Sequence, residues 1–146
     1  MRRRAFLLGT AAVLTTRGYA FAETTQATLY KDPACGCCGG YASYIRSNGF
    51  TVDVIPTADF AEIGRKAGVP ESLEGCHAMF VDGYVVSGHV PIEVVRKLLA
   101  ERPAIAGITL PGMPAGSPGM GGTKSETFTI YGFTNGGKAP VIYAAV

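Results

Sequence analysis

The stretch ATLYKDPACGCCGGYASYI, residues 27–45, passes from an extended segment to a helical one across three cysteines. Ala27 to Tyr30 reads as a short strand, and Pro33 stops it from continuing as a regular helix or central strand. Beyond the cysteines, Tyr41, Tyr44 and Ile45 recur at helical spacing, and Asn48-Gly49 supplies the stop. The cysteines therefore sit where a strand turns into a helix.

Downstream, Thr51 to Ile55 (TVDVI) alternates as a strand. Asp59-Phe60-Ala61-Glu62 has the pattern of a capping box, opening a helix that Gly68 and Pro70 close. In AMFVDGYVVSG (residues 78–88), Asp82-Gly83 between two apolar runs predicts a two-residue hairpin. Pro91 starts a helix with Ile92, Val95, Leu98 and Leu99 on one apolar face, ending before Pro103. The order is strand, helix, strand, helix, strand, strand, helix. With a parallel first pair and an antiparallel hairpin, it predicts an α/β fold with a thioredoxin-like β-α-β-α-β-β-α core. In that arrangement the cysteine loop, Cys76-His77 and Gly88-His89 meet on one rim of the sheet.

The tail goes beyond this core. LPGMPAGSPGMGG, from Leu110 to Gly122, is a Pro/Gly/Met loop without apolar period, and TFTIYGFTNGGKAPVIYAAV (residues 127–146) reads as an extra hairpin turning at Asn135-Gly136-Gly137. A loop of this length in a compact domain is usually functional or disordered. There is no internal repeat, and 146 residues are enough for one domain with its own core.

Residues 1–22 read as an export signal rather than as part of the domain, which spans 23–146. They combine a basic start, an apolar run from Ala5 to Leu14 and a small-x-small exit at Ala20-Phe21-Ala22, so cleavage is expected after Ala22. The run is roughly half the ~20 residues that a membrane-spanning helix needs, which argues against a permanent anchor. Arg3-Arg4-Ala5-Phe6-Leu7 resembles a twin-arginine signal, and Arg17 near the cleavage site suits that route. The expected compartment is the periplasm. The whole chain has 13 basic and 11 acidic residues. Loss of Arg2, Arg3, Arg4 and Arg17 with the leader leaves nine basic residues against the same 11 acids, a net charge near minus two. With no basic cluster, this excludes nucleic acid as the expected partner.

Exported proteins meet oxidising conditions, in which exposed thiols pair or are consumed unless a metal holds them. Cys35 and Cys38 form a C-x-x-C pair at a helix start, a position that stabilises thiolate for disulfide exchange or for metal binding. Cys37 shifts the balance toward metal: a third thiol invites wrong disulfides in an exchange enzyme but is a natural extra ligand. Cys76 precedes the third strand, where thioredoxin-type enzymes usually place a cis-proline; LEGCHAMF has a fourth thiol there instead. If the four thiolates converge, Cu(I), zinc and an iron–sulfur cluster are the candidate guests. Crowded thiolates disfavour mononuclear zinc and suit Cu(I), which accepts low coordination and sulfur bridges. His89, ending a strand on the rim, is a candidate ligand, as are the thioethers of Met113 and Met120 in the loop. In a regular strand His77 points to the face opposite Cys76 and is expected to be structural. Tyr41 and Tyr44 are expected to be core residues.

The motifs CGCC, GCHAMFVDGYVVSGHVP and LPGMPAGSPGM, in this order behind an export signal, resemble the bacterial periplasmic CopG copper-resistance family, which is unrelated to the DNA-binding repressors of that name. The likeness spans about Ala27 to Gly122. It implies a thioredoxin-like metal-binding domain that holds Cu(I) through Cys35, Cys37, Cys38 and Cys76, with His89 and the methionine loop as helpers; the crowded thiolates can also hold several Cu(I) ions as a small thiolate-bridged cluster. One departure is Gly121, where related sequences often carry an acid. The expected partners are copper ions and other periplasmic copper-handling proteins. Two competing expectations are a thiol-disulfide oxidoreductase, with Cys35 as nucleophile and Cys38 as resolving thiol, and a structural zinc module.

Overall fold

The computed structural model describes residues 24–146, so the expected export signal, with the cleavage expected after Ala22, lies outside the described residues. The chain forms β1 (Gln26–Lys31), α1 (Gly36–Ser47), β2 (Thr51–Pro56), α2 (Phe60–Lys66), a 3-10 turn (Glu71–Leu73), β3 (His77–Val81), β4 (Tyr84–Gly88) and α3 (Ile92–Glu101). Then come β5 (Gly107–Leu110), β6 (Thr129–Phe133) and β7 (Val141–Ala145). The order of elements through α3 is the one expected from the sequence.

All the strands join one seven-stranded sheet in the order β2-β1-β3-β4-β5-β6-β7. β1 and β2 are parallel, β3 is antiparallel to both β1 and β4, and β5 runs parallel to β4. Antiparallel pairing sets Lys31 opposite His77, so the end of β1 and the start of β3 lie at the same edge of the sheet. β4 runs antiparallel to β3 and therefore ends at that edge too.

Alternation divides the sheet into two faces. Leu29, Met79, Val86, Ile108 and Ile130 share a core with Tyr41 and Ile45 of α1 and Val95 and Leu98 of α3. Ala78, Val85 and Phe133 form a smaller cluster with Val69, and Gly64 of α2 approaches Ala78 on that side. The face expected on α3 is buried as Ile92, Val95 and Leu98, with Val94 added and Leu99 packed at its edge. The Asp82-Gly83 turn has positive φ at both residues, 47° and 84°, the mirror-image turn that matches strand twist.

Two expectations need correction. Asp59 does precede α2, but its side chain makes no capping hydrogen bond; its backbone (φ −87°, ψ 8°) is already near helical rather than extended. Glu62 instead pairs with Lys66, one turn on. The second concerns the tail. GITL, part of which the sequence assigned to the loop, is the strand β5. Its four residues are buried on both sides, leaving no alternation to detect. β5 bonds to β4 and β6, so the C-terminal hairpin extends the main sheet instead of standing apart from it.

Leu98 is fully buried between α3 and the sheet. Leu98→Ala is expected to destabilise the protein by about 2–5 kcal/mol, read as a lower urea midpoint with an unchanged slope.

Candidate metal centre

Three turns at one edge of the sheet build the centre. The first follows β1. Asp32 Oδ1 accepts from the Ala34 amide at 2.7 Å, and the Asp32 carbonyl accepts from the Cys35 amide at 3.0 Å and from Lys31 Nζ at 2.7 Å. This local net tightens the chain so that Cys35 becomes the N-cap of α1, with Cys37 and Cys38 in the first turn. Cys38 faces inward and is fully buried, whereas Cys35 and Cys37 are half-buried. Cys35 and Cys38 are joined as a disulfide with Cα atoms 5.7 Å apart, and Cys37 and Cys76 are free. Cys37 Sγ lies 3.2 Å from Cys35 Sγ.

The second and third turns are fixed to each other through glycines. Gly75, just before Cys76, packs backbone to backbone on Gly88, just before His89; a Cβ at either position would collide with main-chain atoms. The Gly75 amide also donates to Ser87 Oγ at 2.9 Å. Because the preceding residues touch, Cys76 and His89 become neighbours, with Sγ and Nε2 3.0 Å apart.

His77 is also here. Cys76 lies in a bend before β3, so strand alternation does not separate the two side chains. His77 Nδ1 sits 3.5 Å from Cys76 Sγ, correcting the expectation that the ring points away from it. Tyr41 packs against both imidazoles, with ring centroids 4.6 Å from His77 and 5.3 Å from His89. Its hydroxyl donates to the Val90 carbonyl at 2.9 Å. His77 Nε2 is buried and has no hydrogen-bond partner.

The loop after β5 closes the site from above. His89 Nδ1 lies 2.6 Å from the Pro118 carbonyl. A carbonyl can only accept, so Nδ1 carries the proton and Nε2 presents its lone pair to Cys76. Gly119 (φ +78°) lies directly on the backbone of Gly40 and Tyr41, which brings Pro118 within reach of His89. Met120 follows two residues after Pro118 and is half-buried, while Met113 is exposed and has positive φ, 45°.

The donor atoms of Cys35, Cys37, Cys38 and Cys76 all lie within 4.8 Å of one another, and so do those of Cys38, Cys76, His77 and His89. Burial, reinforced by His89, pushes His77 down from the ordinary 6.5 to about 3. Burial also lowers His89, so both rings are neutral and hold bare ligand nitrogens near neutral pH. Burial first, and then Cys37, push the Cys76 thiol up to about 12. In the metal-free protein Cys76 thus keeps its proton until a cation displaces it.

Comparison with known proteins gives two kinds of match. A family model described as a protein of unknown function, DUF411, matches residues 73–120, which include Cys76, both histidines and the methionine loop. Two solved structures of a copper resistance protein, copG, form 2 and form 1, are each 35% identical with a TM-score of 0.77. The similarity covers 85% of this chain and 99% and 98% of theirs. No curated protein matches the chain.

Two outcomes follow from this geometry. Between the ordinary imidazole value of 6.5 and about 3, unfolded His77 takes a proton that the folded chain refuses. The metal-free protein therefore keeps this contribution above that window and loses it as pH falls, by up to about 1.4 kcal/mol per pH unit. Urea unfolding at neutral and mildly acidic pH should show a smaller acid loss for His77→Gln than for the parent; parallel losses would refute the assignment. Gly119→Ala, which lifts the loop from α1 and takes Pro118 from His89, should weaken metal binding by roughly 10–100-fold with little change in far-UV circular dichroism.

Proposed function

Since this chain belongs to the family of the copper resistance protein copG, we propose that it binds copper as Cu(I) through Cys35, Cys37, Cys38 and Cys76, with His89 beside them, and serves copper resistance. The observation that carries this reading is the convergence of four sulfur donors within 4.8 Å. Thiolate is a soft donor that favours Cu(I), and the neutral imidazoles add nitrogen without adding charge. Copper is the cargo here. The crowding at Cys35 and Cys37 offers more sulfur than one low-coordinate ion needs, which supports a sulfur-bridged cluster. Mixed sulfur and nitrogen donors also accommodate Cu(II), which supports redox capability at the same site. We assign His77 as a further donor, and Met113 and Met120 as soft ligands on the loop.

The β2-β1-β3-β4 order, with α1 and α3 on one face and α2 on the other, supports a thioredoxin-like core extended by β5, β6 and β7. The leader-like pattern of residues 1–22, with Arg3-Arg4-Ala5-Phe6-Leu7 resembling a twin-arginine signal, supports the periplasm as the working compartment, with other periplasmic copper-handling proteins as partners. Among the described residues no helix is long and apolar enough to cross a membrane. Two other readings each have one observation in their favour. The Cys35–Cys38 disulfide favours thiol-disulfide exchange, and the Cys38, Cys76, His77 and His89 set has the donor types of a structural zinc site.

Anaerobic titration of the reduced, metal-free chain with Cu(I) against a competing chelator separates these readings. Substitution of each cysteine by serine is expected to lower the affinity at least tenfold, about 1.4 kcal/mol, or to reduce the stoichiometry. The copper reading fails if the reduced chain ignores cuprous ion, or if the isolated protein carries one zinc released only on unfolding.

A further inference from the structure

The disulfide lies inside the donor set. Cys35 and Cys38 are two of the four converging sulfurs, and while they are bonded to each other only Cys37 and Cys76 remain as thiols. An exported chain faces oxidants whenever it is empty of metal, and a disulfide keeps two donors in a recoverable state. The two ends of the bond differ in access. Cys38 Sγ is sealed beneath α1, with its residue 0% exposed, while Cys35 is half-buried at the cap.

We propose that this protein is itself a substrate for thiol-disulfide exchange at Cys35, and that a thiol reductant opens the metal centre by reducing the Cys35–Cys38 bond. The inference rests on the Cu(I) reading above. A donor thiolate bonds to Cys35 Sγ, the only end of the bond within its reach; the sulfur–sulfur bond breaks and its electron pair leaves on Cys38. A second donor thiolate then attacks the donor sulfur of the mixed disulfide, forming the donor disulfide and releasing Cys35 as thiolate. Two donor thiols are oxidised and one protein disulfide is reduced; the two donor protons pass to the new cysteine thiols or to solvent. The centre goes from two available sulfurs to four. Cys37, 3.2 Å from Cys35, is placed to exchange with it internally. That exchange moves the disulfide without changing the count of free thiols, so opening requires electrons from outside.

The full chain, freed of metal in air, should show two free thiols under denaturing conditions, and four after phosphine reduction and desalting. Cu(I) competition titrations should give at least tenfold weaker binding, or a lower stoichiometry, for the oxidised form than for the reduced one. Treatment with glutathione, acid quenching and peptide mapping should find the transient adduct on Cys35. A parallel arm with a dithiol protein, thioredoxin, tells whether the donor is a small thiol or a protein. Equal Cu(I) binding by both forms, four free thiols in the air-exposed protein, or an adduct confined to Cys37 or Cys76 would each overturn the inference while leaving the Cu(I) reading in place. A reduced form that does not bind Cu(I) would sink both, and the thiol count and adduct position would still report the exchange chemistry on its own.

Discussion

The backbone contact between Gly75 and Gly88 is the constraint on which the centre depends. Neither residue tolerates a Cβ against the main chain it meets, and each is followed at once by a side chain that carries chemistry. A Cβ on Gly75 would strike the Gly88 backbone, and one on Gly88 would strike the Leu110 carbonyl, so the two segments approach closely and leave Cys76 and His89 in contact. The β1–β3 register then brings the cysteine turn to the same edge, because Lys31 is paired with His77. Position at the rim is a consequence of sheet pairing and backbone approach rather than of any attraction between the donors themselves.

Once assembled, the site is hostile to charge. Burial holds both imidazoles neutral and keeps Cys76 protonated, while His77 Nε2 has no hydrogen-bond partner among the described residues. Such a group costs about 1–3 kcal/mol when left unsatisfied. A cation among these donors relieves the first condition: it replaces the Cys76 thiol proton and offers its positive charge to sulfur and to the nitrogen lone pairs that face it. The packing of Tyr41 against both imidazoles keeps the rings where that exchange can occur.

The C-terminal segment belongs to the same construction. β5 continues the sheet beside β4, so the loop that follows starts next to the rim, and Leu110 O comes up against Gly88. From there the loop crosses to α1, where Gly119 settles on Gly40 and Tyr41, and Pro118 fixes the tautomer of His89. The loop thus acts through its backbone as well as through whatever its methionines supply.

Much of this was legible in the residues. Pro33, Asn48-Gly49, Asp82-Gly83 and Pro91 mark boundaries by local backbone preference, so the element order through α3 and the tail hairpin could be read directly, as could the cysteines at a strand-to-helix junction and His89 at a strand end. The capping box at Asp59 failed because its backbone (φ −87°, ψ 8°) is turned toward the helical range instead of extended, so its side chain caps nothing. β5 was invisible because burial on both faces erases alternation. His77 was assigned to the wrong side because the rule for strands was applied across a bend. The C-x-x-C spacing marked Cys35 and Cys38 as partners, whereas the grip of Pro118 on His89 is a contact between atoms whose distance no spacing encodes. The sequence by itself determined which donors exist and which local turns carry them, since those depend on neighbouring residues. Only the tertiary structure decided which donors meet, because that depends on strand register and on glycine-to-glycine contact between segments far apart in the chain.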